Sequence, residues 1–168
     1  MLKRFLQNTY RFEREKISIK EQKAEINYRF DAAEIRLRDV IRRELRSSFK
    51  EPGAKQAFLD AMQNNRAVSN FQLQKAAGLT YKQLFDPTVN TGCFFTVLID
   101  IIDNNYSEFE NTFETSKEDV KNHLLTLNRA RRLPSHSAPE NPEKWSDEDF
   151  KKFRVSMKWL EEVLDNAD

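Results

Sequence analysis

The feature that most constrains this chain is an apolar stripe with helical spacing in its first third. Its members follow one another at intervals of three or four residues and are Ile26, Phe30, Ala33, Leu37, Ile41 and Leu45. This spacing puts them all on one face of an α-helix. It predicts a long amphipathic helix from about Arg11 to Phe49, whose apolar face must be covered by other helices. Pro52-Gly53 predicts the end of that helix.

The composition extends this helical interpretation to the whole chain. The 168 residues include only 3 glycines and 5 prolines, while 33% are charged and 39% are hydrophobic. A β-sandwich needs more turn-forming residues than this. The length is sufficient for one hydrophobic core. We therefore predict an all-α protein, a bundle of four to six helices with an N-terminal helical extension.

The N-terminal segment differs from the rest in pattern and in charge. Lys16 and Lys23 stand where the stripe would require apolar residues, and residues 1–50 carry 14 Lys and Arg against 8 Asp and Glu. We expect residues 1–27 to form a helical arm or linker and residues 28–168 to form the helical domain. The excess of positive charge indicates either a helix face exposed to solvent or a surface that attracts a polyanion.

The later helices are marked by apolar runs and by start signals. The apolar run from Phe94 to Phe113 keeps helical spacing and favours a helix over a strand. Ser116 to Asp119 resembles a capping box, and the helix that follows places Arg131 at the end of an apolar stripe. Pro134 is expected to stop this helix. Ser146, with Asp149 three residues later, predicts the start of the last helix.

Several classes of site are excluded by residue counts and missing motifs. Cys93 is the single cysteine and there are two histidines, so neither an internal disulfide nor a Cys/His zinc site is possible. There is no glycine-rich phosphate loop and no paired-histidine motif, and we predict no cofactor and no metal. The lone cysteine, the lack of a signal-peptide core and the lack of a membrane-length apolar run favour a cytoplasmic protein without membrane contact. We expect Cys93 to be a small buried residue and His123 to be structural.

Arg131 and His136 are the candidate chemical groups. Arginine offers a planar fork of donors that matches phosphate oxygens, and histidine titrates closest to neutral pH. Five residues apart at a helix exit, the two could hold and cleave a phosphodiester. The simpler alternative is an arginine that favours the negative end of the helix dipole, followed by a solvated histidine.

The order of these helices, together with Arg131 and His136, resembles the HEPN superfamily over residues 28–165. Its signature, an arginine followed after four to six residues by a histidine, is matched by Arg131 and His136. Two positions depart from the common pattern: Arg132 stands where asparagine is frequent, and Pro134 lies inside the motif. Neither departure removes a catalytic side chain.

The resemblance implies a metal-independent endoribonuclease of a toxin or antiviral-defence system, with its site at a homodimer interface. Arg131 would hold the scissile phosphate, and His136 would act as general base or acid. Asn128, Arg132 and Ser135 would bind the RNA. A cognate antitoxin or an adjoining domain of a larger protein is a further expected partner.

Two other interpretations stay open at this point. One is a non-catalytic module that dimerises and binds nucleotide or RNA, as many members of that superfamily do. The other is the regulatory tail of a larger protein concerned with nucleic acids, which would suit the basic N-terminal segment.

Overall fold

The computed structural model describes residues 17–135 and 145–167. In these two stretches the chain is all-α, with seven α-helices, one 3₁₀ turn and no strand. Two of the helices are single turns, so the count exceeds the four to six that were predicted. The elements are α1 (Ile19–Asn64), α2 (Asn70–Ala77), α3 (Tyr81–Leu84), α4 (Phe95–Asn104), the 3₁₀ turn (Tyr106–Glu108), α5 (Glu110–Phe113), α6 (Lys117–Ser135) and α7 (Asp147–Ala167).

Helix α1 begins at Ile19, later than the predicted start near Arg11. Ser18 is in an extended conformation and forms a capping box with Glu21, which marks the start of α1. Gln22 is buried and accepts a hydrogen bond from the Trp145 indole at 2.8 Å, so this end of α1 is packed against the start of α7. Residues 17–27 therefore include part of a packed helix. Residues 1–16 lie outside the described part, and the domain boundary at residue 27 stays a prediction.

The break in α1 falls at Lys50, two residues before the predicted end at Pro52-Gly53. Lys50 has φ 56° and ψ 175°, which bends the helix into two arms. Pro52 then lies in the first turn of the second arm, where its missing N–H costs nothing. A Cβ on Gly53 would lie 2.9 Å from the Cβ of Phe49, so glycine permits the close approach of the two arms.

The apolar run from Phe94 to Phe113 is helical, but it is not one helix. Helix α4 ends at Asn104, and Asn105 (φ −123°, ψ 35°) leaves the helical region. The Asn105 backbone N–H still donates to the carbonyl of Ile101 at 3.2 Å, and its side-chain amide donates to the same carbonyl at 2.9 Å. The 3₁₀ turn and α5 then carry Phe109 and Phe113 into the core.

Helices α6 and α7 begin at the predicted caps. The Ser116 hydroxyl accepts from the Asp119 N–H at 3.1 Å and donates to its carboxylate at 2.7 Å. Ser146 and Asp149 form the matching box before α7. Helix α6 continues to Ser135, one residue past the predicted stop at Pro134. A proline in the last turn removes a single hydrogen bond at a helix end, where several carbonyls are already unpaired.

The core forms where α1 meets α4, α6 and α7. Phe30 of α1 packs edge-on against Phe95 of α4, with ring centroids 4.7 Å apart. At the surface, Arg29 of α1 forms an ion pair with Glu161 of α7 at 2.6 Å. No helix in the described ranges is both long enough and apolar enough to cross a membrane.

The strained backbone at Lys50 gives a stability prediction. A residue with a Cβ is disfavoured at φ 56° and ψ 175°, at a cost on the order of 1–3 kcal/mol, and glycine relieves this. Lys50→Gly should therefore raise the free energy of unfolding by about 1 kcal/mol in urea titrations. Ser47→Gly, in the regular and exposed part of α1, should lower it by about 1 kcal/mol. Equal losses in both variants would contradict the assigned backbone conformation.

Candidate functional site

Arg131 lies in the last turns of α6, at the end of the predicted stripe. Val120, Leu124 and Leu127 are buried, and the Arg131 side chain is 36% exposed. Its Nη1 lies 3.7 Å from Oε2 of Glu34, and its guanidinium carbon lies 5.7 Å from the centroid of the Phe30 ring. The guanidinium at the end of α6 therefore contacts the middle of α1 through an ion pair and a cation–π interaction.

Glu34 connects two guanidinium groups. Arg38 Nη2 donates to Glu34 Oε1 at 2.6 Å and to the backbone carbonyl of Cys93 at 2.7 Å. The Glu34 side chain is only 17% exposed, and hydrogen bonds to an ionised carboxylate at such a position are stronger than those between neutral groups. The geometry fixes the Glu34 carboxylate between α1, the segment before α4 and the end of α6.

Two clefts meet at Arg131. The first, about 290 Å³, is called the Glu34 cleft. The second, about 190 Å³, is called the Asn128 cleft. The Glu34 cleft is lined by Ile26, Asn27, Phe30, Asp31, Glu34, Arg38, Cys93, Phe94 and Arg131. The Asn128 cleft is lined by Ala67, Phe94, Thr96, Asn128, Arg131 and Arg132.

The two clefts differ in their charge. Asp31 and Glu34 line the Glu34 cleft alongside two arginines, so positive and negative charge are balanced there. The Asn128 cleft has Arg131 and Arg132 as its charged lining residues and no carboxylate among them. An anion is therefore favoured in the Asn128 cleft and repelled by the carboxylates of the Glu34 cleft.

The predicted site residues that the structure describes converge on this surface. Asn128 is 9% exposed and lines the Asn128 cleft, where Arg132 is its exposed neighbour. The backbone of Ser135 ends α6, but its side chain is outside the described part. His136 lies outside the described residues. The structure brings Asn128, Arg131 and Arg132 together and leaves the pairing of Arg131 with His136 as a prediction.

Glu34 and Phe94 are site residues that sequence reasoning missed. The four-residue spacing of Glu34 and Arg38 is a visible signal for an ion pair on one helix face. The contact between Glu34 and Arg131 joins residues 97 positions apart in the chain, and no local pattern indicates it. The apolar pattern of the sequence predicts Phe94 as a member of a buried helical run. In the structure it precedes α4 and lines both clefts.

Cys93 is buried, as predicted. Burial raises the pKa of its thiol to about 12, so the thiol stays protonated at neutral pH. Its contribution to the site is the backbone carbonyl that accepts from Arg38. A buried, protonated thiol is a poor nucleophile, and Cys93 therefore acts as a packing residue.

His123 has the contacts of a structural residue, as predicted. Its ring stacks on Trp159 with centroids 4.4 Å apart, and Nδ1 lies 3.0 Å from Oγ of Ser156. Burial lowers the pKa of His123, with a smaller opposing effect from Asp119. These contacts are made with α7, and His123 lies about 12 Å along the α6 axis from Arg131.

In residues 17–135 and 145–167, no group of three or more His, Cys, Asp or Glu side chains is arranged to hold a metal ion. Comparison of the chain with protein-family models, with curated proteins and with solved structures finds no match. The function must therefore be argued from the chemistry of the site.

The depressed pKa of His123 gives a pH prediction. The folded state favours the neutral His123 ring over the imidazolium. The free energy of unfolding that this ring contributes is therefore fully present above the unfolded pKa of 6.5 and is lost as the pH falls below it. The free energy of unfolding of the wild type should drop between about pH 7 and pH 5, and that of His123→Gln should drop less.

Urea titrations of both proteins across this range measure the difference. Carboxylates with lowered pKa, such as Glu25 and Asp149, titrate mainly below this range and are present in both proteins. Parallel curves for the two proteins would show that burial does not disfavour the His123 imidazolium.

Proposed function

We propose that this chain is a metal-independent endoribonuclease domain of the HEPN type, in which Arg131 and His136 cleave RNA at a homodimer interface. The observation that carries the proposal is the position of Arg131, which stands at the meeting point of two clefts at the end of α6. The Asn128 cleft beside it brings two arginines and Asn128 together with the apolar Ala67 and Phe94, and the arginines suit a phosphate.

The connectivity of the chain supports the pairing of Arg131 with His136. Arg131 and Ser135 are separated by about one helical turn, roughly 6 Å along the axis. His136 is bonded to Ser135, and consecutive Cα atoms are about 3.8 Å apart. This spacing along the chain is compatible with both side chains acting on one phosphodiester, as the proposal requires.

The proposed reaction needs these two groups and the ribose. One imidazole accepts the proton of the 2′-hydroxyl, and the 2′-oxygen forms a bond to phosphorus. The bond from phosphorus to the 5′-oxygen breaks, and that oxygen takes up a proton from the imidazolium, which returns to its neutral form. Arg131 stabilises the charge that builds on the phosphate oxygens. The products are a 2′,3′-cyclic phosphate and a 5′-hydroxyl end.

The proposed role of Glu34 is to position Arg131. A carboxylate that is itself held by Arg38 restricts the orientations of the guanidinium. Preorganised groups are worth more to a transition state than mobile ones, because little reorientation is needed during the reaction. The place in a toxin or antiviral-defence system, with a cognate antitoxin or an adjoining domain as partner, rests on the resemblance to HEPN domains.

Cleavage of single-stranded RNA in EDTA tests the proposal. We expect the wild type to cut, and Arg131→Ala and His136→Ala to cut on the order of 100-fold more slowly or worse. Arg129→Ala is the matched control, because Arg129 is an exposed arginine of the same helix that pairs with Asp149. Full activity in His136→Ala, or equal losses in all three variants, would contradict the assignment.

Mixing the two inactive variants tests the shared interface. A dimer of one Arg131→Ala chain and one His136→Ala chain retains one arginine and one imidazole, so mixing should restore part of the activity. No recovery, together with a monomeric mass by light scattering at micromolar concentration, would refute a composite site.

A further inference from the structure

The start of α4 adds a feature to the Asn128 cleft that the proposed function does not use. Helix α4 has ten residues and no side-chain cap, because Phe94 occupies the N-cap position and has no hydrogen-bonding side chain. Thr96, in the first turn of α4, lines the Asn128 cleft together with Phe94. The positive end of a helix dipole therefore borders the same cleft as Arg131 and Arg132.

A second observation at the cleft is independent of the helix end. The Asn128 side chain is about nine-tenths buried, lines the cleft and makes no hydrogen bond to another described residue. Its amide atoms keep access to the cleft, so an acceptor placed there can pair with them. The Oγ1 atom of Thr96 is also buried without a hydrogen-bond partner among the described residues.

We infer that the Asn128 cleft is the binding site for the scissile phosphate of an RNA chain, which is held between the start of α4 and the end of α6. This inference rests on the proposed function and adds which side of Arg131 the substrate occupies. The Asn128 amide donates to one phosphate oxygen and Arg131 and Arg132 supply positive charge. The first turn of α4 adds the field of its dipole.

The charges that line the two clefts indicate on which side of Arg131 the phosphate binds. A phosphate in the Glu34 cleft would face the carboxylates of Asp31 and Glu34. In the Asn128 cleft it meets two guanidinium groups and no carboxylate among the lining residues. The small volume, about 190 Å³, is below the roughly 300–1,000 Å³ of common cofactor pockets and suits a phosphate with part of its sugar.

The test uses binding, so that it is independent of cleavage. The probe is a fluorescent 2′-O-methyl oligonucleotide, which has the shape of RNA and no 2′-hydroxyl to react. Asn128→Leu removes the amide at similar volume, and Arg132→Gln removes an exposed charge. Both should weaken binding by on the order of tenfold or more, because hydrogen bonds to charged groups are among the stronger ones.

Matched controls come from the same helix. Asn122→Leu and Arg129→Gln make the same chemical changes at exposed positions that do not line the cleft, and should bind as the wild type does. Circular dichroism and urea unfolding establish that all four variants fold. Folded Asn128→Leu protein that binds with wild-type affinity overturns the inference.

Two further outcomes separate the inference from the proposed function. If the wild type does not cleave RNA but Asn128→Leu and Arg132→Gln bind the oligonucleotide more weakly than their controls, the nuclease assignment fails and the phosphate-binding site is supported. If RNA cleavage depends on Arg131 while Asn128→Leu binds the oligonucleotide as the wild type does, the nuclease assignment is supported and the phosphate-binding site in the Asn128 cleft is overturned. Inorganic phosphate should compete only weakly, and binding of phosphate without any binding of the oligonucleotide overturns the assignment to an RNA chain.

Discussion

The burial of the α6 stripe against α1 and α7 determines where the candidate site lies. Val120, Leu124, Leu127 and Ala130 are all buried, and a buried valine or leucine contributes roughly 1.5–3 kcal/mol. The partly exposed ion pair between Arg131 and Glu34 is worth only about 0–1 kcal/mol. Hydrophobic packing therefore sets the position of the helix end, and the ion pair restricts the orientation of the guanidinium.

The site follows from this division of roles. The long helix α1 supplies Glu34 and Arg38, and the segment before α4 supplies the carbonyl that holds Arg38. The end of α6 supplies Arg131 at the junction of two clefts with different charge. An arginine alone at a helix end is a common way to satisfy the dipole. Here the carboxylate on one side and the cationic cleft on the other give the arginine a defined direction.

Local signals in the sequence predicted the local structure. Ser146 with Asp149 and Ser116 with Asp119 were both found where the sequence placed them, because a capping box depends on residues within one turn. The bend in α1 was predicted within two residues of Lys50. The break at Asn105 was not predicted, since the apolar spacing continues across it and only the backbone angles of Asn105 show it.

The site itself was less accessible to sequence reasoning. The grouping of Asn128, Arg131 and Arg132 follows from their closeness on one helix. The contact with Glu34 and the place of Phe94 between two clefts depend on how distant elements pack, and that information is not contained in spacing. The RNA-cleaving chemistry and the dimer are proposals that come from the resemblance to HEPN domains, whose signature Arg131 and His136 match.

The most direct measurement uses a short RNA with one cleavable linkage, prepared with either a 2′-hydroxyl or a 2′-hydrogen on the nucleotide preceding the scissile phosphate. We predict cleavage of the hydroxyl form without metal, with a 2′,3′-cyclic phosphate on the product, and no cleavage of the deoxy form. Cleavage of both forms at similar rates would contradict it, because the 2′-oxygen would then not be the nucleophile.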